Sequence, residues 1–166
     1  MSKILVELQV NGESHELAIE PHRTLLEVLR ENLGLTGAKE ACDLGECGVC
    51  MVLMGGKPVL SCLVLAADAQ GQEIVTIEGL AQGGKPHPLQ QAFVEHGAIQ
   101  CGYCTPGMIM TAKGFLNSHP APTEEDVRKA IGNNICRCTG YKKIVEAIMD
   151  VASQNAVQSG EELAKV

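Results

Sequence analysis

Eight cysteines carry most of the chemistry that this sequence of 166 residues could perform. Three follow one another with the spacing Cys-x4-Cys-x2-Cys and a fourth comes after eleven more residues, and these are Cys42, Cys47, Cys50 and Cys62. This spacing is typical of plant-type [2Fe–2S] ligands, in which four thiolates hold a two-iron core. Zinc sites more often show two CxxC pairs at longer separation. The first set therefore predicts a [2Fe–2S] cluster, with a zinc site or buried thiols as the alternatives.

Two glycines inside this loop favour the same interpretation. Gly45 and Gly48 permit positive φ angles and a close approach of the backbone to a cluster. The amide N–H groups of such a loop can point at the sulfurs, and these hydrogen bonds help to set a cluster's reduction potential. We therefore expect backbone donors around the thiols of the first set.

The remaining cysteines form two pairs that are thirty-one residues apart, Cys101-Gly-Tyr-Cys104 and Cys136-Arg-Cys138. Each pair precedes a predicted helix, and the positive end of a helix suits an anionic cluster. A CxxC pair alone could also be a thioredoxin-like redox motif, but no βαβ pattern surrounds it. From these residues alone, a second [2Fe–2S] cluster and a zinc site remain equally open.

Charge and hydropathy restrict the partners and the location. The net charge is −7, and all of it falls in residues 1–79, with 5 Lys/Arg against 12 Asp/Glu, whereas residues 80–166 carry 8 of each. An acidic chain is a poor partner for nucleic acid. No apolar run is long enough to span a membrane, and no signal peptide is visible. We expect a cytoplasmic protein with reduced thiols, although a periplasmic enzyme exported with its partner would look the same.

The first half alternates between apolar and polar residues. Strands are predicted at residues 4–10 and 14–20 around an Asn11-Gly12 hairpin turn, and at 51–54, 58–60 and 74–77. Thr24 and Glu27 form a capping box that opens a helix, which ends at Gly34. A hairpin, a crossing helix and further strands predict a β-grasp, ferredoxin-like domain over residues 1–79.

The second half has helical periodicity after a Gly- and Pro-rich segment at residues 79–88. Four helices are predicted, at residues 88–96, 106–117, 124–132 and 140–154, with Thr105 as the N-cap of the second. The polar tail from Ser153 onward is expected to be a surface or interface extension. The predicted fold class is α+β, with a four-helix cluster-binding domain over residues 80–166.

Four segments occur in a characteristic order, and the last two are very specific: Leu35-Thr-Gly-Ala-Lys39, Cys42-Asp-Leu-Gly-Glu-Cys-Gly-Val-Cys50, Gln100-Cys-Gly-Tyr-Cys-Thr-Pro-Gly-Met108 and Asn134-Ile-Cys-Arg-Cys-Thr-Gly-Tyr141. Through them nearly the whole chain resembles the small iron–sulfur subunits of the xanthine oxidase family of molybdenum hydroxylases. The resemblance implies that a second [2Fe–2S] cluster is held by Cys101, Cys104, Cys136 and Cys138. It also implies that Gln100 and Cys138 approach the pterin of a molybdenum cofactor carried by a separate large subunit.

Three positions depart from the family pattern. Ala41 stands where Gly is usual, Val49 where Ala or Ser is usual, and Met51 where Thr is usual. None of them removes a ligand, but they can change the hydrogen bonding and packing that set the potential of the first cluster.

The function implied by the resemblance is an electron relay. Electrons from a molybdopterin centre on the large subunit would pass through two clusters to a flavin-binding subunit or another acceptor. We expect no substrate site, and no flavin or nucleotide site, because no GxGxxG or P-loop motif is present. The competing hypotheses are a free two-cluster electron carrier and a structural double-zinc module. The sequence does not indicate the substrate of the complex.

Overall fold

The computed structural model describes the backbone of residues 2–163 and the side chains of residues 2–154. A five-stranded sheet has the order β2-β1-β5-β3-β4, in which only the β1–β5 pair is parallel. The strands are β1 Ile4–Val10, β2 Glu13–Ile19, β3 Met51–Met54, β4 Lys57–Leu60 and β5 Glu73–Val75. The helices are α1 Leu25–Glu27, α2 Pro88–Glu95, α3 Thr105–Ser118, α4 Glu124–Ala130 and α5 Lys142–Leu163. This is the expected β-grasp sheet followed by a helical part.

The first hairpin and the first helix begin as the sequence predicts. Asn11 and Gly12 both have positive φ angles, 54° and 83°, which is the geometry of a two-residue type I′ turn. The capping box is confirmed, since the Glu27 N–H donates to Thr24 Oγ1 at 3.2 Å and the Thr24 N–H donates to Glu27 Oε2 at 2.7 Å.

The single α-helix expected up to Gly34 is instead a three-residue α-helix that continues as a π-helical turn, Val28–Asn32. The N–H of Leu33 donates to the carbonyl of Val28, and that of Leu35 donates to Leu29, so the turn widens as the chain leaves the sheet. Gly34, with φ of 70°, ends it as predicted.

Two helix boundaries differ from the sequence expectation. Thr105 is not the N-cap of α3, because the Met108 N–H already bonds to the carbonyl of Cys104 at 3.0 Å, which makes Cys104 the cap. Helix α5 begins at Lys142 and runs to Leu163 rather than ending near residue 154. No Gly or Pro interrupts residues 143–159, which explains the longer helix. The tail was expected to be a surface or interface extension. Nearly all of its side chains lie outside the described residues, so this stays a prediction.

Strand β3 contributes to both hydrophobic cores. Met51 and Leu53 belong to the core formed with the helices, whereas Val52 belongs to the core formed with β1, β5 and α1. Alternate side chains of a strand point to opposite faces, so the sheet is covered on both sides at β3. On the helical side, a Cβ on Gly114 of α3 would lie 2.6 Å from the Pro58 side chain, so α3 lies very close to the sheet.

No helix among residues 2–163 has both the length and the apolar character needed to cross a membrane.

Candidate metal centres

The first four cysteines, here called the loop site, come together in two pairs. The Cys42 thiol lies close to that of Cys47, and the Sγ atoms of Cys50 and Cys62 are 3.4 Å apart. Cys50 directly precedes β3, and Cys62 lies in the 3-10 turn Ser61–Leu63 that follows β4. The β3–β4 hairpin therefore brings the fourth thiol back to the other three.

The backbone of the loop points its donors at a sulfur, as the sequence predicts. The N–H of Leu44, the Cys47 thiol and then the N–H groups of Glu46 and Cys47 lower the pKa of Cys42 to about 7. Gly45 and Gly48 have φ of 79° and 70°, which confirms the predicted positive angles. The loop is folded to stabilise negative charge on sulfur.

The second pair of the loop site is buried. Cys50 and Cys62 are 3% and 8% exposed, and the hydroxyl of Ser61 donates to the carbonyl of Cys50 at 2.7 Å. Burial raises the pKa of Cys62 to about 12. A thiolate is costly at such a position unless a cation compensates its charge, which is what a metal centre supplies.

The other four cysteines, here called the helical site, also meet as two pairs. The Cys104 thiol contacts Cys136, and the Cys101 thiol contacts Cys138. Cys104 caps the N-terminus of α3, whereas Cys136 and Cys138 lie in the turn that leads into α5. The expectation that helix N-termini present these thiols is therefore confirmed directly for α3. In α5 the helix begins at Lys142, four residues after Cys138.

Within the helical site, Cys104 and Cys136 form the inner pair, and their thiol pKa values shift in opposite directions. Burial raises the pKa of Cys104 to about 12. Burial also raises the pKa of Cys136, but bonds from the Thr139 hydroxyl and from the N–H groups of Thr139 and Cys138 outweigh it, so that this pKa is lowered overall. The Cys136 N–H in turn donates to the hydroxyl of Tyr141 at 2.8 Å.

In each site the four thiols form two pairs, and this arrangement fits a two-iron cluster better than a single metal ion. A zinc ion needs its ligands around one centre, with Zn–S distances of about 2.3 Å. Among the described residues, no three Cys, His, Asp or Glu side chains surround one such centre. In a [2Fe–2S] cluster four thiolates are shared between two irons, and each site offers two thiol pairs. The donor sets of both sites therefore fit [2Fe–2S] clusters.

The two sites are joined directly by hydrogen bonds. The N–H of Ile135 donates to the carbonyl oxygen of Cys47 at 2.9 Å, and the Asn134 side chain donates to the carbonyl of Gly48 at 2.9 Å. The Tyr103 hydroxyl donates to the carbonyl of Glu40. The sequence analysis did not predict these three donors. Each lies within a cysteine motif, and the motif was interpreted through its cysteines alone.

Comparison with known proteins gives consistent matches. Residues 8–79 match the family model of a 2Fe-2S iron-sulfur cluster binding domain, and residues 76–149 match that of a [2Fe-2S] binding domain. The nicotinate dehydrogenase small FeS subunit of Eubacterium barkeri is 52% identical over 148 residues, covering 89% of this chain and 94% of that one. The chain belongs to the iron–sulfur subunits of the molybdenum hydroxylases. It is thus an electron-transfer subunit of an oxidoreductase with two [2Fe–2S] clusters.

Solved structures of molybdenum hydroxylases share this fold. Quinoline 2-oxidoreductase from Pseudomonas putida 86 superposes with a TM-score of 0.90 at 44% identity, covering 97% of this chain and 99% of that one. Aldehyde oxidoreductase from Desulfovibrio gigas gives 0.87 at 45% identity, covering 95% of this chain and 17% of that one. In the latter protein the iron–sulfur subunit therefore corresponds to one part of a longer chain.

The subunit leaves one side of the helical site open. Cys101, Cys138 and Gln100 are exposed, and Arg137 between the two ligand cysteines is exposed as well. The inner pair, Cys104 and Cys136, is more deeply placed. Contact of Gln100 and Cys138 with a partner's cofactor stays a prediction, and their exposure is compatible with it.

Proposed function

We propose that this chain carries single electrons from a molybdenum centre on a large partner subunit, through the helical site and then the loop site, to an acceptor. The observation that carries this proposal is the hydrogen bond from Ile135 to Cys47, which links the two sites without an intervening side chain. When bound, the two [2Fe–2S] clusters supply the one-electron chemistry. The chain's own residues hold the clusters, separate them and define their outward faces.

The helical site is the proposed entrance. Its outer thiols, Cys101 and Cys138, are exposed together with Gln100, so a partner's cofactor can come into contact here. Arg137, Lys142 and Lys143 are exposed and lie within five residues of Cys138 in the sequence. These cations and the N-terminus of α3 suit an anionic pterin cofactor. The large molybdopterin-binding subunit is therefore proposed to cover this face.

The crossing between the sites uses backbone atoms. Cys136 is bonded covalently to Ile135, whose N–H reaches the carbonyl oxygen of Cys47 at 2.9 Å. Both cysteines are proposed ligands, one in each site. An electron leaving the inner pair of the helical site therefore crosses a single hydrogen bond before it reaches a ligand residue of the loop site.

The loop site is the proposed exit. Leu44 and Leu63, which flank its thiols, are 75% and 59% exposed. We propose that these two leucines belong to a face that another protein covers, which would remove their apolar surface from water. The acidic excess lies in the same half of the chain. We propose that a flavin-binding subunit or another electron acceptor docks here, on the side away from the molybdenum centre.

The ligand and domain assignments follow from this proposal. The loop cluster is assigned to Cys42, Cys47, Cys50 and Cys62, and the helical cluster to Cys101, Cys104, Cys136 and Cys138. We place the domain boundary after residue 79, although Met51 and Leu53 of the first domain pack into the helical core. We also propose a cytoplasmic location, where thiols stay reduced and can bind clusters.

The test starts with the purified chain. It should contain about four irons and about four acid-labile sulfides, as two [2Fe–2S] clusters require, and it should show no hydroxylase activity without its partner. Stoichiometric zinc and no visible absorption would support the structural zinc module instead. A chain that binds iron but co-purifies with no larger subunit from its native cells would be a free carrier, and the proposal would be wrong.

A further inference from the structure

Asn134 lies between the two sites and is only 1% exposed. Its Nδ2 donates to the carbonyl oxygen of Gly48 at 2.9 Å, across 86 positions of sequence. Gly48 follows Cys47 directly in the ligand loop, and Asn134 lies two residues before Cys136. This side chain therefore ties the ligand-bearing loop of one site to the ligand-bearing turn of the other.

Hydrogen bonds within residues 131–141 hold the backbone of Asn134 in place. Its N–H donates to the carbonyl of Ile131 at 2.9 Å, and its carbonyl accepts from the Tyr141 hydroxyl at 3.1 Å. The same hydroxyl accepts from the N–H of Cys136 at 2.8 Å. Asn134 is thus part of the turn that carries Cys136, and a displacement of one displaces the other.

Only one of the two polar atoms of the Asn134 side-chain amide has a hydrogen-bond partner among the described residues. Its Oδ1 is buried and has no hydrogen-bond partner among the described residues. An unpaired buried acceptor costs free energy, and an apolar side chain of similar shape would avoid that cost. What the amide contributes is the bond to Gly48.

Gly48 is enclosed from two sides, so its backbone has little room to move relative to Asn134. A Cβ on Gly48 would lie 2.6 Å from Asn134 Nδ2. From the other side, Gly107 of α3 approaches so closely that a Cβ there would overlap the carbonyl oxygen of Gly48. We call Gly48, Gly107 and Asn134 the seam. The seam is thus a point of close contact between the ligand loop, α3 and the turn that carries Cys136.

We propose that Asn134 is a positioning residue for electron transfer between the two sites. The inference rests on the proposed relay, in which one electron leaves the helical site, which is oxidised, and enters the loop site, which is reduced, while no bond is made or broken. Ile135, the next residue, donates the hydrogen bond to Cys47. Loss of the Asn134 amide loosens the seam, lengthens that bond and slows the transfer, while all eight thiols keep their clusters.

The test compares full chains that carry their clusters. The variant is Asn134→Ala, and the matched control is Asn133→Ala, since Asn133 is the exposed neighbour of the same type. Thr123→Ala weakens the capping box of α4 and controls for a general loss of stability in the same half. Three quantities are measured: the magnetic interaction of the two reduced clusters by EPR, the rate of electron equilibration after pulsed reduction, and hydrogen exchange near Gly48 and Ile135.

Asn134→Ala should keep its iron content and the g values of each cluster. The magnetic interaction should weaken, equilibration should slow several-fold, and exchange should increase in both segments of the seam. Both control variants should match the wild type in the magnetic interaction and in the rate. If Asn134 had a purely structural role, Asn134→Ala and Thr123→Ala would both lower the unfolding temperature. The magnetic interaction and the equilibration rate would then not differ between these two variants.

Asn134→Leu replaces the amide by an apolar side chain of similar shape and should produce the same changes as Asn134→Ala. An unchanged interaction and rate in Asn134→Ala overturns the inference and leaves the relay intact. If Asn134→Ala does not assemble, an unchanged magnetic interaction and an unchanged rate in Asn134→Leu overturn it. A wild-type chain without two interacting clusters would contradict the relay itself.

Discussion

One segment of chain builds most of the loop site, whereas two segments thirty-one residues apart must meet to build the helical site. In the loop site, three thiols, positive-φ glycines and backbone donors lie within nine residues, Cys42 to Cys50. In the helical site, the N-terminus of α3 and the turn before α5 supply one pair of cysteines each. The loop site is thus a product of local conformation, and the helical site is a product of helix packing.

The two sites also differ in how they face solvent. Cys101 and Cys138 of the helical site are exposed, whereas no thiol of the loop site is fully exposed. An exposed pair can come close to a partner's cofactor, while the loop site meets its surroundings through Leu44 and Leu63. This difference fits the proposed relay, in which the entrance would bring exposed ligands to a partner's cofactor and the exit would offer exposed leucines to an acceptor.

The largest effect should come from removing one ligand from either site. Cys62→Ser should lower the iron content from about four to about two per chain, abolish one EPR signal and leave the other recognisable. Cys104→Ser should do the converse. If either substitution removed both signals, the two sites would not assemble independently, and the contrast between local and packed construction would be wrong.

A smaller effect should follow from emptying each core. Phe93 and Leu29 are both fully buried, the first in the core that contains Cys136 and the second in the core that contains Cys50. Phe93→Ala should cost about 3–5 kcal/mol and Leu29→Ala about 2–5 kcal/mol of unfolding free energy. On heating, Phe93→Ala should lose the helical cluster first and Leu29→Ala the loop cluster first.

Visible absorption and EPR during thermal unfolding measure this order of loss. The exposed position Gln91 in α2 provides the control, since Gln91→Ala removes no buried surface. Loss of both clusters at one temperature in both variants would show that β3, which contributes to both cores, couples the two halves into one cooperative unit.

The smallest effect is a dependence on pH that is confined to the helical half. His87 caps α2, with its Nδ1 accepting from the Leu89 N–H at 3.2 Å, and burial followed by the positive charge of Lys113 lowers the His87 pKa below 6.5. The unfolded chain therefore takes up a proton that the folded chain resists. The stability from this group is complete above about pH 6.5 and is lost as the pH falls toward the folded-state pKa.

His87→Asn should remove this dependence while keeping the cap, because asparagine is a good N-cap residue and does not titrate. Urea unfolding at pH 7.5 and at pH 5.5, followed for each cluster, measures the difference between the two chains. The wild type should lose more stability than the variant in the helical half. Equal losses in both chains would mean that His87 does not contribute.

Features that depend on neighbouring residues could be predicted from the sequence. These include the Asn11-Gly12 turn, the Thr24–Glu27 capping box and the positive φ of Gly48, since each requires only local chemistry. The continuous apolar run of β3, Met51–Met54, is also a local signal, since such runs are typical of strands buried on both faces.

Features that depend on packing could not be predicted. The bond from Asn134 to Gly48 joins residues 86 positions apart, and nothing in the spacing of either motif indicates the partner. The close approach of Gly107 to the ligand loop has the same origin, because it requires the position of α3 on the sheet. The π-helical turn after Glu27 was also missed, since propensity does not distinguish it from an ordinary helix.

The most direct test of the relay is the magnetic coupling between the molybdenum centre and each cluster in the assembled complex. The Mo(V) EPR signal should split when the cluster of the helical site is reduced. That splitting should persist in Cys62→Ser, which lacks only the cluster of the loop site. If the splitting disappeared in Cys62→Ser while the helical cluster was still present and reduced, the loop site would be the entrance and the proposed direction of the relay through this chain would be reversed.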